Sequence, residues 1–265
     1  PVDGIWSRAY IRLRRSLDGG LNWSNAGKVF DYTLSVQEQR RVLHLDEYHE
    51  HLGPARETID MSAEDSILVM GRAWCGPAVT AAGGSVVHEN VSFCYRSPDR
   101  GRRWEQVPSI VGAAHTRTVL EIGANYMKLG GDRLMCWMVG LDGIEGAPGL
   151  DGPYSPQLFM SEDGGVIWRL HSEIYHDPSE RVGASYPHIV VLPSGRWLCF
   201  LGCWFAAGQA WVRWTSLCHS DDRGLNWSEP RIIHTWSISP YPVLLEDGRI
   251  VVVFMRRSPD PTGLY

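Results

Sequence analysis

The chain has 265 residues, 44% of them hydrophobic and 21% charged, with a formal net charge of -5. That apolar content excludes a disordered chain, and the acidic balance argues against nucleic acid as the partner. Twelve Trp and 28 Gly exceed ordinary usage and point to many short strands joined by tight turns. No apolar run reaches the ~18 residues needed to span a bilayer as a helix.

The first organised element is Ser16-Leu17-Asp18-Gly19-Gly20-Leu21-Asn22-Trp23. A polar stretch follows from Asp31 to Pro54, with His44, Asp46, Glu47, His49, Glu50 and His51. Ser35-Val36-Gln37-Glu38 opens it with the pattern of a capping box, which predicts a short helix. The spacing of its His and acidic residues is not that of a metalloprotease helix, so a solvated polar face is expected and no metal is assigned. Arg56-Glu57-Thr58 then leads into the apolar run Ser66 to Gly71, closed by Arg72. His88 and Glu89 precede the next turn, Ser97-Pro98-Asp99-Arg100-Gly101-Arg102-Arg103-Trp104.

His115-Thr116-Arg117-Thr118 begins the following repeat. The Gly- and Pro-rich stretch from Gly140 to Tyr154 holds Asp142, Glu145 and Asp151 and has the length of a lid. Two more copies of the turn come at Ser161-Glu162-Asp163-Gly164-Gly165-Val166-Ile167-Trp168 and Ser220-Asp221-Asp222-Arg223-Gly224-Leu225-Asn226-Trp227. Between and after them lie hairpins, Pro187 to Phe200 around Pro193-Ser194-Gly195 and Pro242 to Phe254 around Glu246-Asp247-Gly248.

The four turns share S-x-D-x-G-x-x-W. Asp accepts backbone N–H bonds inside such a turn, Gly supplies a left-handed residue, and Trp returns on the next strand to wedge against the turn. These aspartates are therefore read as structural. Each repeat reads as an apolar strand, a hairpin, a third strand into the turn and a fourth leaving it. The six cysteines (Cys75, Cys94, Cys136, Cys199, Cys203, Cys218) lack C-x-x-C spacing and sit mostly in apolar runs, which predicts reduced core thiols.

The repeated turns resemble Asp-boxes, the BNR repeats of the sialidase-like (neuraminidase) superfamily, and the resemblance runs over nearly the whole chain. It implies an all-β fold, a β-propeller of four-stranded antiparallel blades. The expected single domain covers 1–265, with repeats at about 5–30, 54–110, 114–175, 183–234 and 236–265. That is about four blade equivalents, against the six usual in the family. Both ends break off inside a repeat, so a piece of a larger propeller is expected; the alternative is that the two half-blades pair and close a small ring. The chain starts at Pro1 without Met or signal peptide. The compartment is left open, with secreted or periplasmic as the expectation.

The resemblance also implies a pocket where the innermost strands start: Arg56 to Thr58, His115 to Thr118, Ser185 to His188 and Ser239 to Pro242. Sialidases grip a substrate carboxylate there with three arginines, a task suited to the bidentate, always charged guanidinium. Arg56, Arg72 and Arg256 match those strand ends, and Arg117 is a fourth candidate. Tyr186 and Tyr241 are the candidate nucleophiles, His88 and Glu89 the groups for proton transfer, and Glu57, beside Arg56, a further catalytic candidate. The chain departs from the family by having no Asp between Arg72 and Asp99. The implied function is a glycoside hydrolase acting on a glycan with sialic or uronic acid, with no cofactor. A non-catalytic propeller that binds carbohydrate or protein is the alternative. A propeller polysaccharide lyase, using Tyr with His88, His115 or His188 beside a uronate, is the second.

Overall fold

The structure is a computed structural model that describes residues 10–25, 27–31, 58–63, 66–80, 86–105, 109–111, 125–141, 154–179, 181–207, 210–256 and 263–264. All the regular elements among the described residues are strands, arranged as five antiparallel sheets. The first pairs β1 (Tyr10–Leu13) with β2 (Gly27–Asp31). The second is β3 (Thr58–Ala63), β4 (Ser66–Thr80), β5 (Val86–Ser97) and β6 (Ser109–Val111). The third is β7 (Asn125–Gly130), β8 (Arg133–Leu141), β9 (Tyr154–Ser161) and β10 (Arg169–Glu173). The fourth is β11 (Gly183–Val191), β12 (Trp197–Ala207), β13 (Ala210–Ser220) and β14 (Arg231–Thr235). The last is β15 (Ser237–Leu244), β16 (Ile250–Arg256) and β17 (Gly263–Leu264).

In every sheet, strand order follows chain order, as in the blades of a propeller. The fold is an all-β propeller. The predicted helix after Ser35 and most of the predicted lid, 142–153, lie outside the described residues. Among the described residues no helix is long and apolar enough to cross a membrane.

The four S-x-D-x-G-x-x-W turns are built alike. Each Ser hydroxyl accepts the N–H of the pattern glycine, at 2.7 Å for Gly20 and Gly101 and 2.8 Å for Gly165 and Gly224. The same hydroxyl donates to the Asp carboxylate. That carboxylate accepts the backbone N–H four residues on, from Asn22, Arg103, Ile167 or Asn226. The Trp indole donates back to the glycine carbonyl at 2.9–3.2 Å. Such bonds favour the ionised carboxylate, and Asp18, Asp99 and Asp222 are pulled from 3.8 down to about 2.

The turns also stack the sheets. A Cβ on Gly224 would lie 2.7 Å from Leu158 Cδ2 of the third sheet and 2.9 Å from Trp197 Cζ3. The Gly224 carbonyl accepts a bond from Ser172 of β10, and Trp227 Nε1 donates to the same hydroxyl. One turn earlier, a Cβ on Gly165 would sit 3.1 Å from Leu68 and 3.5 Å from Cys94, both in the second sheet. Two cores fill the seams. Leu68, Cys94, Val111, Leu134, Cys136 and Phe159 pack between the second and third sheets. Met135, Trp137, Leu158, Ile189, Trp197 and Leu201 are among those packing between the third and fourth. Cys94, Cys136, Cys199, Cys203 and Cys218 are buried thiols, and burial raises Cys94 and Cys203 to about 12.

Two outcomes follow. Gly224→Ala adds overpacking to left-handed strain and costs about 2–4 kcal/mol, whereas Gly195→Ala, at φ +87° with nothing within 4 Å of its Cβ, bears only the strain, about 1–2 kcal/mol. Equal losses in denaturant melts would contradict the packing role. The depressed aspartates stabilise the fold above their unfolded value of 3.8, and that support drains away as pH falls towards about 2. Asp222→Asn lowers stability at neutral pH and flattens the pH dependence in that window, read from melts at pH 5, 4 and 3.

Candidate functional site

Strand register separates two ends of the molecule. In the fourth sheet Trp197 pairs with Ser220, where the turn begins, while Ala207 pairs with Ala210 at the far end. Gly183, at the start of innermost strand β11, pairs with Trp204 near that far end. Ser237, at the start of β15, pairs with Arg256 in the same sense. The innermost strands therefore begin at the end opposite the turns.

Both innermost strands break their ladders shortly after they start, between Ser185 and His188 in β11 and between Ile238 and Tyr241 in β15. Within each break one residue is left-handed, Tyr186 at φ 50° and Ser239 at φ 55°, and each directly precedes a proline, Pro187 and Pro240. A left-handed non-glycine residue costs about 1–3 kcal/mol, and the following ring narrows the backbone choice further. Pro187 and Pro240 are fully buried and lock the two bulges. Bulges of this kind re-aim side chains and are over-represented beside active sites.

The two bulges meet over one glycine of β12. A Cβ on Gly202 would lie 3.0 Å from Ile238 Cγ1, 3.2 Å from Ser239 N and 3.3 Å from Tyr186 Cδ2. Two residues beyond each bulged residue stand His188 and Tyr241, whose rings meet edge-on with centroids 4.7 Å apart. Trp137 of β8 approaches His188 at 6.3 Å. Trp137, His188 and Tyr241 thus form an aromatic strip across the third, fourth and fifth sheets. Trp137 Nε1 is buried with no hydrogen-bond partner among the described residues. Burial of His188 disfavours its charged form and pushes it down to about 4, so the imidazole is neutral at neutral pH. Tyr241 is 56% exposed.

The sequence-predicted residues fall in several places. Tyr186 lies in the β11 bulge and Tyr241 beyond the β15 bulge, so the two tyrosines occupy non-equivalent positions. Arg256 closes β16 at the same end. Arg72 pairs with Ser92, and Glu89 pairs with Cys75, in the β4–β5 ladder. The side chains of Arg72 and Glu89 lie outside the described part of the chain, as do the whole of Arg56, Glu57 and Arg117. The His-rich stretch from His44 to His51 lies outside it as well. Among the described residues no cluster of His, Cys, Asp and Glu is arranged to hold a metal ion. Sequence reasoning missed the His188–Tyr241 contact. A signal was available: Pro187 and Pro240 each stand eight residues before the hairpin glycine, Gly195 and Gly248.

The neutral imidazole has a measurable consequence. Folding keeps His188 uncharged, so its burial is compatible with full stability above about 6.5 and lowers stability as pH falls from there to about 4. His188→Gln removes that component, and its thermal midpoint changes less than the parent's between pH 7 and pH 4.5. A parallel decline in both proteins would show that His188 is not responsible.

No family model matches the chain, and no curated protein matches it. Solved structures do. A protein of unknown function from Dyadobacter fermentans aligns at 18% identity with a TM-score of 0.61, over 96% of this chain and 66% of its own. An α-L-arabinanase from Penicillium chrysogenum, solved with arabinobiose, aligns at 16% identity and TM-score 0.59, over 94% and 69%. A Hadza microbial sialidase aligns at 15% identity and TM-score 0.55, over 95% and 47%. The chain therefore spans about two thirds of the first two and about half of the sialidase. At these identities the likeness establishes the fold that the chain shares with them, a β-propeller built of antiparallel sheets.

Proposed function

We propose that this chain is a carbohydrate-active β-propeller and a glycoside hydrolase, with its pocket at the end of the innermost strands opposite the four Asp-box-like turns. The observation that carries this reading is the pair of locked bulges meeting over Gly202, which hold Tyr186, His188 and Tyr241 at that end. Two proteins that share the fold support it, an arabinanase in complex with arabinobiose and a sialidase.

The substrate we assign is a glycan carrying a sialic or uronic acid. Its carboxylate would be gripped by Arg56, Arg72, Arg117 and Arg256, each a permanent cation able to pair with both carboxylate oxygens. Tyr186 or Tyr241 would act as nucleophile at the anomeric carbon, and Glu57 or Glu89 would move the proton. No cofactor is required for that chemistry. A non-catalytic propeller that binds carbohydrate or protein is the alternative. A lyase reading draws on His188 and Tyr241, whose rings meet at that end and whose residue types can take a proton beside a uronate carboxylate.

The test is turnover of fluorogenic sialosides, glucuronides and arabinofuranosides, together with unsaturated-product formation from polyuronates. Turnover of an acidic glycoside is expected. Arg256→Ala then lowers its kcat/KM by roughly 10–100-fold, the worth of a charge-assisted hydrogen bond, and leaves any arabinofuranoside activity unchanged. Turnover of arabinofuranosides alone would refute the acidic substrate. Glycan binding without any turnover would leave the binder.

A further inference from the structure

Four of the eight tryptophans outside the repeated turns gather at the pocket end of the fourth sheet: Trp204, Trp211, Trp214 and Trp236. Trp204 is paired with Arg213, Trp211 with Ala206, and Trp214 with both Cys203 and Thr235. Trp236 follows Thr235, in the one-residue link from β14 to β15. Two of these rings have clear packing duties. Trp204 lies against Gly183, where a Cβ would come within 2.7 Å of its ring, and against Tyr154 at 4.9 Å. Trp214 packs on the core between the third and fourth sheets and meets Phe205 at 5.9 Å.

Trp236 is different. Its φ is 59°, a conformation that a bulky residue adopts at a cost. The surroundings impose it from both sides. The Trp236 N–H donates to the Arg213 carbonyl at 2.8 Å. Ser237, fully buried, shares a 2.7 Å bond with Thr215 and donates to the His234 carbonyl. His234 itself meets Phe254 at 4.3 Å. The frame therefore holds a strained backbone whose indole is 38% exposed, at the end where Arg256 and the innermost strands begin. Phe205, 36% exposed, adds a second open ring at that end. The backbone conformation by itself favours glycine at position 236.

We propose that Trp236 is a sugar-stacking residue, which packs the flat indole against the apolar face of a sugar ring in the glycan that enters the pocket. The proposal rests on the glycan reading above and deepens it by naming a subsite. An indole suits that task because it offers a large rigid apolar face at little cost in side-chain entropy and carries a polar edge. The backbone strain is retained because the indole it presents is used.

The experiment compares the full chain with Trp236→Phe and Trp236→Gly, by calorimetric titration of arabinotetraose and sialyllactose and by thermal melts. Trp236→Gly is expected to bind whichever probe the parent binds about three- to tenfold more weakly, at a temperature where the melts show both proteins folded. Trp236→Phe keeps most of the affinity. A parent that binds while folded Trp236→Gly binds equally well would overturn the stacking role and assign Trp236 to the framework. A parent that binds neither probe would overturn the glycan reading together with this subsite.

Discussion

Everything in this fold depends on one small lock, a serine hydroxyl that accepts from a glycine N–H and donates to an aspartate two residues on. The aspartate, held ionised by its donors, ties down the N–H four residues beyond itself. The indole of the turn tryptophan closes the loop on the glycine carbonyl. Four different residue types are each needed for a different reason, so the pattern can recur at widely separated points and still build the same object. Asn22 and Asn226 extend the lock by donating their side-chain amides to the same carboxylate.

The lock has two left-handed residues in a row, and they are under different constraints. The first is Gly19, Arg100, Gly164 or Arg223, all between φ 58° and 72°. Arginine is tolerated there because nothing lies within 4 Å of a Cβ at Gly19 or Gly164. The second is glycine in all four copies. At Gly165 and Gly224 the preceding sheet presses against the position a side chain would occupy. One residue thus serves both the turn and the stacking of sheets, and a local sequence rule becomes a tertiary one. Arg15 extends the same logic, donating to the Arg100 carbonyl from one turn to the next.

The same lock explains why so much of the fold can be read from the residues alone. The sheets and their order are legible, because the turns, the hairpin glycines and the apolar runs are local signals of fixed chemistry. The two tyrosines are alike in sequence, each beside a proline at the start of an innermost strand, but not in structure. Tyr186 occupies the bulge, while Tyr241 corresponds to His188 two residues past it, and that distinction depends on which residue of each strand turns left-handed. Nothing in the residue types Tyr and Ser announces such a conformation; burial of Pro187 and Pro240 imposes it. The His188–Tyr241 contact was likewise invisible, since it joins residues 53 positions apart across two sheets.

The two ends of the molecule also divide the labour of stability. Left-handed residues at the turn end, mostly glycines, are answered by hydrogen bonds that relieve them. At the other end Tyr186, Trp236 and Ser239 are left-handed without glycine's freedom, and buried neighbours hold them there. A chain under selection for folding alone would have little reason to keep three such residues on two innermost strands and the link that leads into the second. Their concentration where Arg256, His188 and Tyr241 also lie is more informative than any one of them. The cost of each is borne by a separate device: Pro187, Pro240, and the Ser237–Thr215 pair beside Trp236. Strain that is independently secured at three points of one end is the observation behind the proposal that the propeller meets its ligand there.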